Sequence, residues 1–305
     1  MTRRGLLLFA SMSLIWGIPY FFIRIAVSEL SPATLVFVRT TLAALVLLPF
    51  ALARGGGFGR LWAKGPWLLA FAAVEMGIPW FLLSSAEQHI SSSLTGLLIS
   101  TVPLATTVVA IAFGQRERLS AASLSGLALG LIGVAAIVGT DLHATSLLAL
   151  AELAVVVVGY AVGPVILSRH LSDQSPVSVI AASLAVCAVA YAPIAAQQWP
   201  HVMPTTGVLL SVAALALACT AVAFLLFFAL ITEIGPVRSS VITYINPAVA
   251  ALLGVFALGE TFTLGMGAGF VLVVCGAALA TSRTAQFRRL RRVTSREGTR
   301  PDITR

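Results

Sequence analysis

The sequence predicts an all-α membrane protein, with ten transmembrane helices arranged as two inverted five-helix repeats around a central cavity. Composition is the first reason. The 305-residue chain is 59% hydrophobic and only 10% charged, whereas soluble domains carry about 25% charged residues. The second is segment length. A helix needs about 20 apolar residues to cross the hydrocarbon core, and such stretches occupy 5–27, 33–53, 66–86, 92–113, 119–139, 145–168, 176–197, 206–231, 236–258 and 262–282. The third is an internal repeat. Ser31-Pro32, Pro49 and Pro103 recur 144 residues later as Ser175-Pro176, Pro193 and Pro247. Pro19 and Arg24 recur as Pro164 and Arg169 at an offset of 145, and Glu117, Gly126 and Gly133 as Glu260, Gly269 and Gly276 at 143. An odd number of spans per copy turns the copies upside down relative to each other, a recurrent plan of membrane transporters.

The repeats divide the chain into residues 5–140, 145–282 and a basic tail at 283–305. The joint, Gly139-Thr140-Asp141-Leu142-His143, is too short for a flexible linker, so the halves pack as one body. The first span is too apolar and too long for a signal peptide and lacks a small-x-small cleavage site after it. Gly126-x-x-x-Gly130 in the fifth span and Gly265-x-x-x-Gly269 in the tenth mark faces where helix backbones approach closely. They serve packing within the chain or, in the sharper reading, a homodimer seam. Cys187, Cys219 and Cys275 all fall inside spans and read as small apolar residues rather than as disulfides or metal ligands.

Net charge is +8, and its placement decides its meaning. Of the 19 Lys and Arg, 17 fall in alternate loops, in the two termini or, for Arg238, at the very start of the ninth span, all on one side of the proposed membrane; Arg24 and Arg39 lie deeper within spans. The positive-inside rule then puts both termini in the cytoplasm of a cell or inner membrane. The same asymmetry argues against a nucleic-acid partner. The tail run Phe287-Arg288-Arg289-Leu290-Arg291-Arg292 reads as a solvated charge run or as a contact with anionic lipid headgroups. Eighteen Arg against one Lys, with abundant Ala, suggests a GC-rich bacterial source.

Candidate site residues come from polar groups that lipid penalises. A charge at the centre of a spanning helix costs about 2.5–3.5 kcal/mol on insertion scales, yet Arg39, Glu75 and Glu152 lie well inside spans. Counting about 1.5 Å per residue places all three in one layer, where Arg39 can pair with either carboxylate. They form a structural ion pair or line a polar cavity for a charged substrate group; Glu75 and Glu152 are the proton-coupling candidates. Trp16, Tyr20, Trp80, Tyr160 and Tyr244 stand at suitable depth for a substrate platform, or serve as packing and interfacial anchors. Trp16 and Tyr160 gain weight from their matching repeat positions beside Pro19 and Pro164. Pro19, Pro103, Pro164 and Pro247 are the expected helix breaks or hinges. Asn246, just before Pro247, either touches substrate or satisfies a carbonyl the proline frees. Arg24 and Arg169 sit at span ends and snorkel. Glu117 and Glu260 read as caps or loop ties, with gating as the second reading. His89, His143, His170 and His201 are all in loops and form no metal set.

Trp16-Gly17 with Pro19, mid-span Pro103 and Pro247, and the span-end motifs Glu117-Arg118-Leu119-Ser120 and Gly259-Glu260-Thr261 together resemble the drug/metabolite transporter superfamily with two EamA-type repeats. The resemblance covers residues 5–282; its departures are the insertion Gln115-Arg116 and Tyr160 where the first copy has Trp16. It implies movement of small metabolites, often amino acids or related compounds, through a cavity between the halves, with the fifth and tenth helices peripheral.

The expected function is a secondary transporter of small polar or amphipathic metabolites working by alternating access, with efflux favoured over uptake. No Walker-type phosphate loop occurs, so ATP is not the direct energy source, and no cofactor is expected. The rivals are a membrane-embedded enzyme acting on a lipid and an uncoupled passive facilitator. Against the enzyme, no span holds paired Asp, a His ligand set or a Ser/His constellation.

Overall fold

A computed structural model describes residues 2–53, 58–113, 121–139 and 146–297. Among these residues every regular element is helical. Ten apolar helices follow the expected spans within a few residues. They are α1 (Arg3–Ala26), α2 (Pro32–Ala53), α3 (Gly65–Ala86), α4 (Ser92–Ala112), α5 (Ala121–Gly139), α6 (Leu147–His170), α7 (Pro176–Gln197), α8 (Thr206–Ile234), α9 (Ile242–Leu258) and α10 (Leu264–Ala280). The last continues as a helix to Glu297, past its apolar part. The bundle buries Leu, Ile, Met and Ala side chains between its helices and leaves many further Leu, Val and Phe on its outer surface.

The pairing of helices carries the inverted symmetry. α2 packs on α7, α4 on α9 and α5 on α10, each helix meeting its own repeat partner. Most of the other contacts between halves come in exchanged pairs; α10 also packs on α4, without a comparable contact of α5 on α9 among the described residues. α1 packs on α8 as α6 packs on α3; α1 on α9 as α6 on α4; α2 on α8 as α7 on α3. The paired contacts are those that a two-fold relation between the repeats generates.

α5 and α10 meet through glycine. A Cβ at Gly133 would lie 2.7 Å from the Gly269 carbonyl oxygen, and one at Gly126 would lie 2.6 Å from that of Gly276. A Cβ at Gly130 would strike Leu104. The GxxxG faces are therefore occupied by a contact within the chain, and a homodimer through these same faces would have to displace it.

Breaks in the helices follow their local chemistry. α1 is interrupted at 16–18 and restarts at Pro19, whose missing N–H suits a first helical position. α4 is likewise interrupted at 100–101, with Pro103 in the first turn of the resumed helix. The second copies differ from expectation. Pro164 and Pro247 sit inside continuous helices, Leu147–His170 and Ile242–Leu258. The hinge expected at each is not a break, because neighbouring helices hold the backbone on both sides of the proline. The symmetric irregularity lies elsewhere. Residues Ala72–Gly77 of α3 and Leu217–Val222 of α8 form π-helical turns 145 residues apart. In α3, Pro79 cannot donate to the Glu75 carbonyl, which loosens the turn. Tyr191 Oη and Cys187 Sγ from α7 then donate to the Gly77 and Ala72 carbonyls. In α8 the Thr220 hydroxyl donates to the Leu215 carbonyl at 2.7 Å, five residues back.

Candidate functional site

The two π-turns place Glu75 and Thr220 at corresponding positions, 145 residues apart, near the middle of the bundle. Such turns frequently mark functional sites. Arg39 of α2 is buried and reaches across the repeat boundary: its Nε donates to Thr220 Oγ1 at 3.0 Å. Its guanidinium lies over the Trp80 ring, 3.8 Å from the centroid. Tyr20 and Tyr160 stand within electrostatic range of it, and Trp80 also meets the Tyr160 hydroxyl. Arg39, Trp80, Tyr20 and Tyr160, picked from four different spans, thus form one cluster with Thr220 and Cys219.

The expected ion pair is absent. Among the described residues Arg39 makes no salt bridge to Glu75 or Glu152. Nor do the three share a layer. Glu152 accepts from the Ser85 hydroxyl at 2.7 Å, whereas the Glu75 carboxylate lies against Gly163, where a Cβ would come within 1.8 Å of Oε2. Ser85 and Glu75 are separated by ten residues of α3, about 15 Å of helix. Glu152, in the second turn of α6, meets the last turn of α3 at Ser85, whereas Glu75 lies midway along α3.

The two-fold makes the polar centre asymmetric. The exchange mate of Arg39 is Ser183, 144 residues on, and that of Thr220 is Glu75. The first repeat therefore supplies the cation and the carboxyl, Arg39 and Glu75, and the second supplies two hydroxyls at the matching positions, Ser183 and Thr220. Ser183 Oγ and Glu75 Oε2 are buried without a hydrogen-bond partner. For Arg39, a cation–π contact contributes up to about 2 kcal/mol and one hydrogen bond from a charged group about 1.5–3 kcal/mol. Burying an ion costs several kcal/mol, and among the described residues no salt bridge gives the guanidinium a counter-charge.

The other aromatic candidates have packing partners. Trp16 rests on Phe227 and Phe224 of α8, with ring centroids 4.6 and 5.9 Å away. Tyr244 packs against the main hydrophobic cluster. Asn246, with its amide turned to satisfy its neighbours, donates to the Ser13 and Ile242 carbonyls at 3.0 and 2.9 Å. That ties α9 to α1 rather than pointing into a cavity.

Tyr20, Arg39 and Trp80 are each at most 8% exposed, so side chains fill the centre. A hollow of about 310 Å³ instead opens towards the face that holds the N-terminus. It lies between α1, α2, α7 and α8, lined by Phe50, Leu225, Phe228 and Thr232, with Arg4 and Glu233 3.9 Å apart at its rim. The expected lining residues stand above this hollow rather than around it.

Each face carries a tie that the repeats exchange. On the face opposite the N-terminus, Glu29 accepts from Thr205 N and Oγ1, both at 2.7 Å, at the start of α8. Asp173, 144 residues after Glu29, accepts from Lys64 Nζ at 2.5 Å, just before α3, on the N-terminal face. Lys64 also donates to the His170 carbonyl at 2.8 Å, and the His170 ring stacks on Trp67. The hydrogen bond from Lys64 holds the Asp173 carboxyl below the usual carboxylate range. A depressed value means this tie is complete above the ordinary carboxylate pKa and is lost as pH falls through the depressed one.

Glu260 is a cap. Gly259, at φ 68°, turns the chain at the end of α9 so that Glu260 points back at α4. Its carboxylate accepts from Ser92 N, Ser92 Oγ, Ser93 N and Ser93 Oγ at 2.5–3.0 Å. An anion at a helix N-terminus is stabilised by the free N–H groups there. Its first-copy partner Glu117, with Arg116 and Arg118, lies outside the described residues, as do Asp141 and His143. Arg24 is not free to snorkel: its Nη1 donates to the Glu87 carbonyl. Arg169 donates to the Phe113 carbonyl at 2.8 Å. Sequence reasoning missed Thr220, Ser183 and the π-turns. The offset of 144–145 applied to Arg39 and Glu75 would have found the first two.

Known proteins agree with this architecture. The model of the EamA-like transporter family matches residues 3–139 and again 147–282. An Escherichia coli K12 protein described as an uncharacterized inner membrane transporter, YedA, is 29% identical over 261 residues, covering 83% of this chain and 82% of the relative. An uncharacterized transporter of Archaeoglobus fulgidus is 23% identical, covering 86% of this chain and 92% of its own. A solved chain described only as "Crystal structure of protein" superposes with a TM-score of 0.66 at 23% identity, covering 94% of this chain and 99% of that one. With both repeats matched over nearly their whole length, the chain belongs to the EamA-like transporter family and is a multi-pass membrane transporter of ten helices.

Proposed function

We propose that the protein is a secondary transporter that moves small amphipathic metabolites, amino acids or related compounds, across the cytoplasmic membrane by alternating access. The observation that carries the reading is the buried Arg39 at the exchange point of the two repeats, among Tyr20, Trp80 and Tyr160. A substrate carboxylate set against Arg39 would supply the missing counter-charge, and the aromatic rings would take an apolar side chain. Glu75 Oε2 and Ser183 Oγ, both unpartnered, suit a donor on the same molecule. Alternating access is supported by the exchanged ties, Glu29–Thr205 on one face and Asp173–Lys64 on the other. A rocking of one repeat against the other opens one tie while keeping its mate. The hollow on the N-terminal face is the entry route for cargo from that side, which favours efflux if the termini are cytoplasmic.

The test is uptake into proteoliposomes over a panel of amino acids and related carboxylates, with and without a proton gradient. Accumulation against a concentration gradient is expected for at least one compound. Movement only down a gradient would make the protein a passive facilitator. Chemical change of the lipid without transport would make it an enzyme.

A further inference from the structure

Glu87 follows the last residue of α3, on the face opposite the N-terminus. A charged residue in a turn is normally solvated, yet Glu87 is 0% exposed. Neither of its carboxyl oxygens has a hydrogen-bond partner. Its surroundings explain why none is offered. From α1, Arg24 donates to the main-chain carbonyl of Glu87 rather than to its carboxylate. Tyr20, also on α1, lies within electrostatic range. From the α9–α10 turn comes the Glu260 carboxylate, held in place by its four donors on Ser92 and Ser93. From α6, Glu152 is engaged by Ser85, two residues before Glu87, and keeps one unpartnered oxygen. Glu87 is thus sealed from water, faces a second carboxylate held by hydrogen bonds, and has one nearby cation committed to its backbone.

An ionised carboxylate in that position would carry an uncompensated burial cost and a like-charge neighbour. A neutral carboxyl carries neither. The geometry points to Glu87 as a proton-binding site built into this closure, holding a proton while the face is shut and releasing it to water when the face opens. The inference rests on the alternating-access reading and adds its coupling ion. It moves the proton site from Glu75 and Glu152 to a residue at the gate itself. Burial, and after it the charge of Glu260, push the Glu87 carboxyl well above the ordinary carboxylate range, with Arg24 opposing. The value is raised in the closed state and ordinary once water enters. Closure is therefore favoured at low pH and lost as pH rises through the raised value. By reciprocity, each opening sheds a proton on that side.

The experiment uses the full chain in lipid nanodiscs, titrated from about pH 5 to about pH 9 to bracket the carboxylate range. Infrared difference spectra report the carbonyl stretch of neutral carboxylic acids. Spin labels at exposed His89→Cys and His201→Cys, with the three native cysteines replaced by alanine, report separation of the two halves on this face. Wild-type protein should lose an acid band with a midpoint above the ordinary carboxylate range, and the label distance should lengthen over the same interval. Glu87→Gln should lack the band and keep the short distance throughout. Should Glu87→Gln fail to fold, Arg24→Gln should move the midpoint upward. The proposal is overturned if Glu87→Gln keeps the band, if its distance still follows pH, or if Arg24→Gln leaves the midpoint in place. Neither readout requires a cargo, so a failed uptake panel would count against the transport reading and leave this result standing.

Discussion

At the scale of single residues, Arg39 decides between structure and function. It is buried on Trp80 and Thr220 with no carboxylate beside it. Replacing a buried charge by an apolar side chain of similar volume is often neutral or stabilising. Arg39→Met should therefore keep or raise the thermal unfolding midpoint in detergent. It should lower transport of a carboxylate cargo about 10–100-fold, as expected from losing a charged hydrogen bond of about 1.5–3 kcal/mol. A strong fall in the midpoint would make Arg39 a structural residue. Glu75 gives a second prediction. Because Arg39 is not its partner, Glu75→Gln should fold at wild-type yield, judged by size-exclusion profile, while uptake falls. Loss of folded protein would restore the ion-pair reading. The cost of intramembrane charge made Arg39 and Glu75 legible in the sequence. Their surroundings were not, since Thr220 lies 181 residues from Arg39 and only the fold joins them. Glu87 carries no signal in the sequence, because a position just after a span normally means water; its burial goes with Arg24 and the α9–α10 turn packed against it.

At the scale of helices, the α5–α10 contact is the tightest backbone approach between the repeats. The side chain in Gly133→Ala would meet the Gly269 carbonyl and the Val273 amide at 2.7 and 2.8 Å, with no flexible group to yield. Overpacking of this kind costs about 1–3 kcal/mol. The unfolding midpoint should drop measurably, whereas Gly139→Ala, with open space around it, should not change it. Equal stability of the two variants would show that α5 and α10 are not held this way. Helix existence was legible from hydropathy almost residue by residue, as α7 shows: 176–197 was expected and Pro176–Gln197 is found. Helix irregularity was not. Proline alone does not specify a break: Pro19 restarts a helix, while Pro164 sits within one whose neighbours hold the backbone on each side. The π-turn at 217–222 contains no proline and is built by the Thr220 hydroxyl.

At the scale of the whole molecule, hydrophobic length, one-sided charge and the repeat offset all describe the same object, and for that reason its architecture could be read early. What moves within it depends on contacts between halves that no local pattern encodes. Glu29 and Asp173 look like ordinary loop acids until the fold sets each beside the start of a helix in the other repeat, on opposite faces. The central claim is that these two closures open in alternation around Arg39. The most direct measurement is transport in proteoliposomes by two disulfide-locked variants, Glu29→Cys with Thr205→Cys and Lys64→Cys with Asp173→Cys, in a background without native cysteines. The account predicts that oxidation of either pair alone stops net transport and that reduction restores it. Transport that continues at full rate with either pair locked would contradict it.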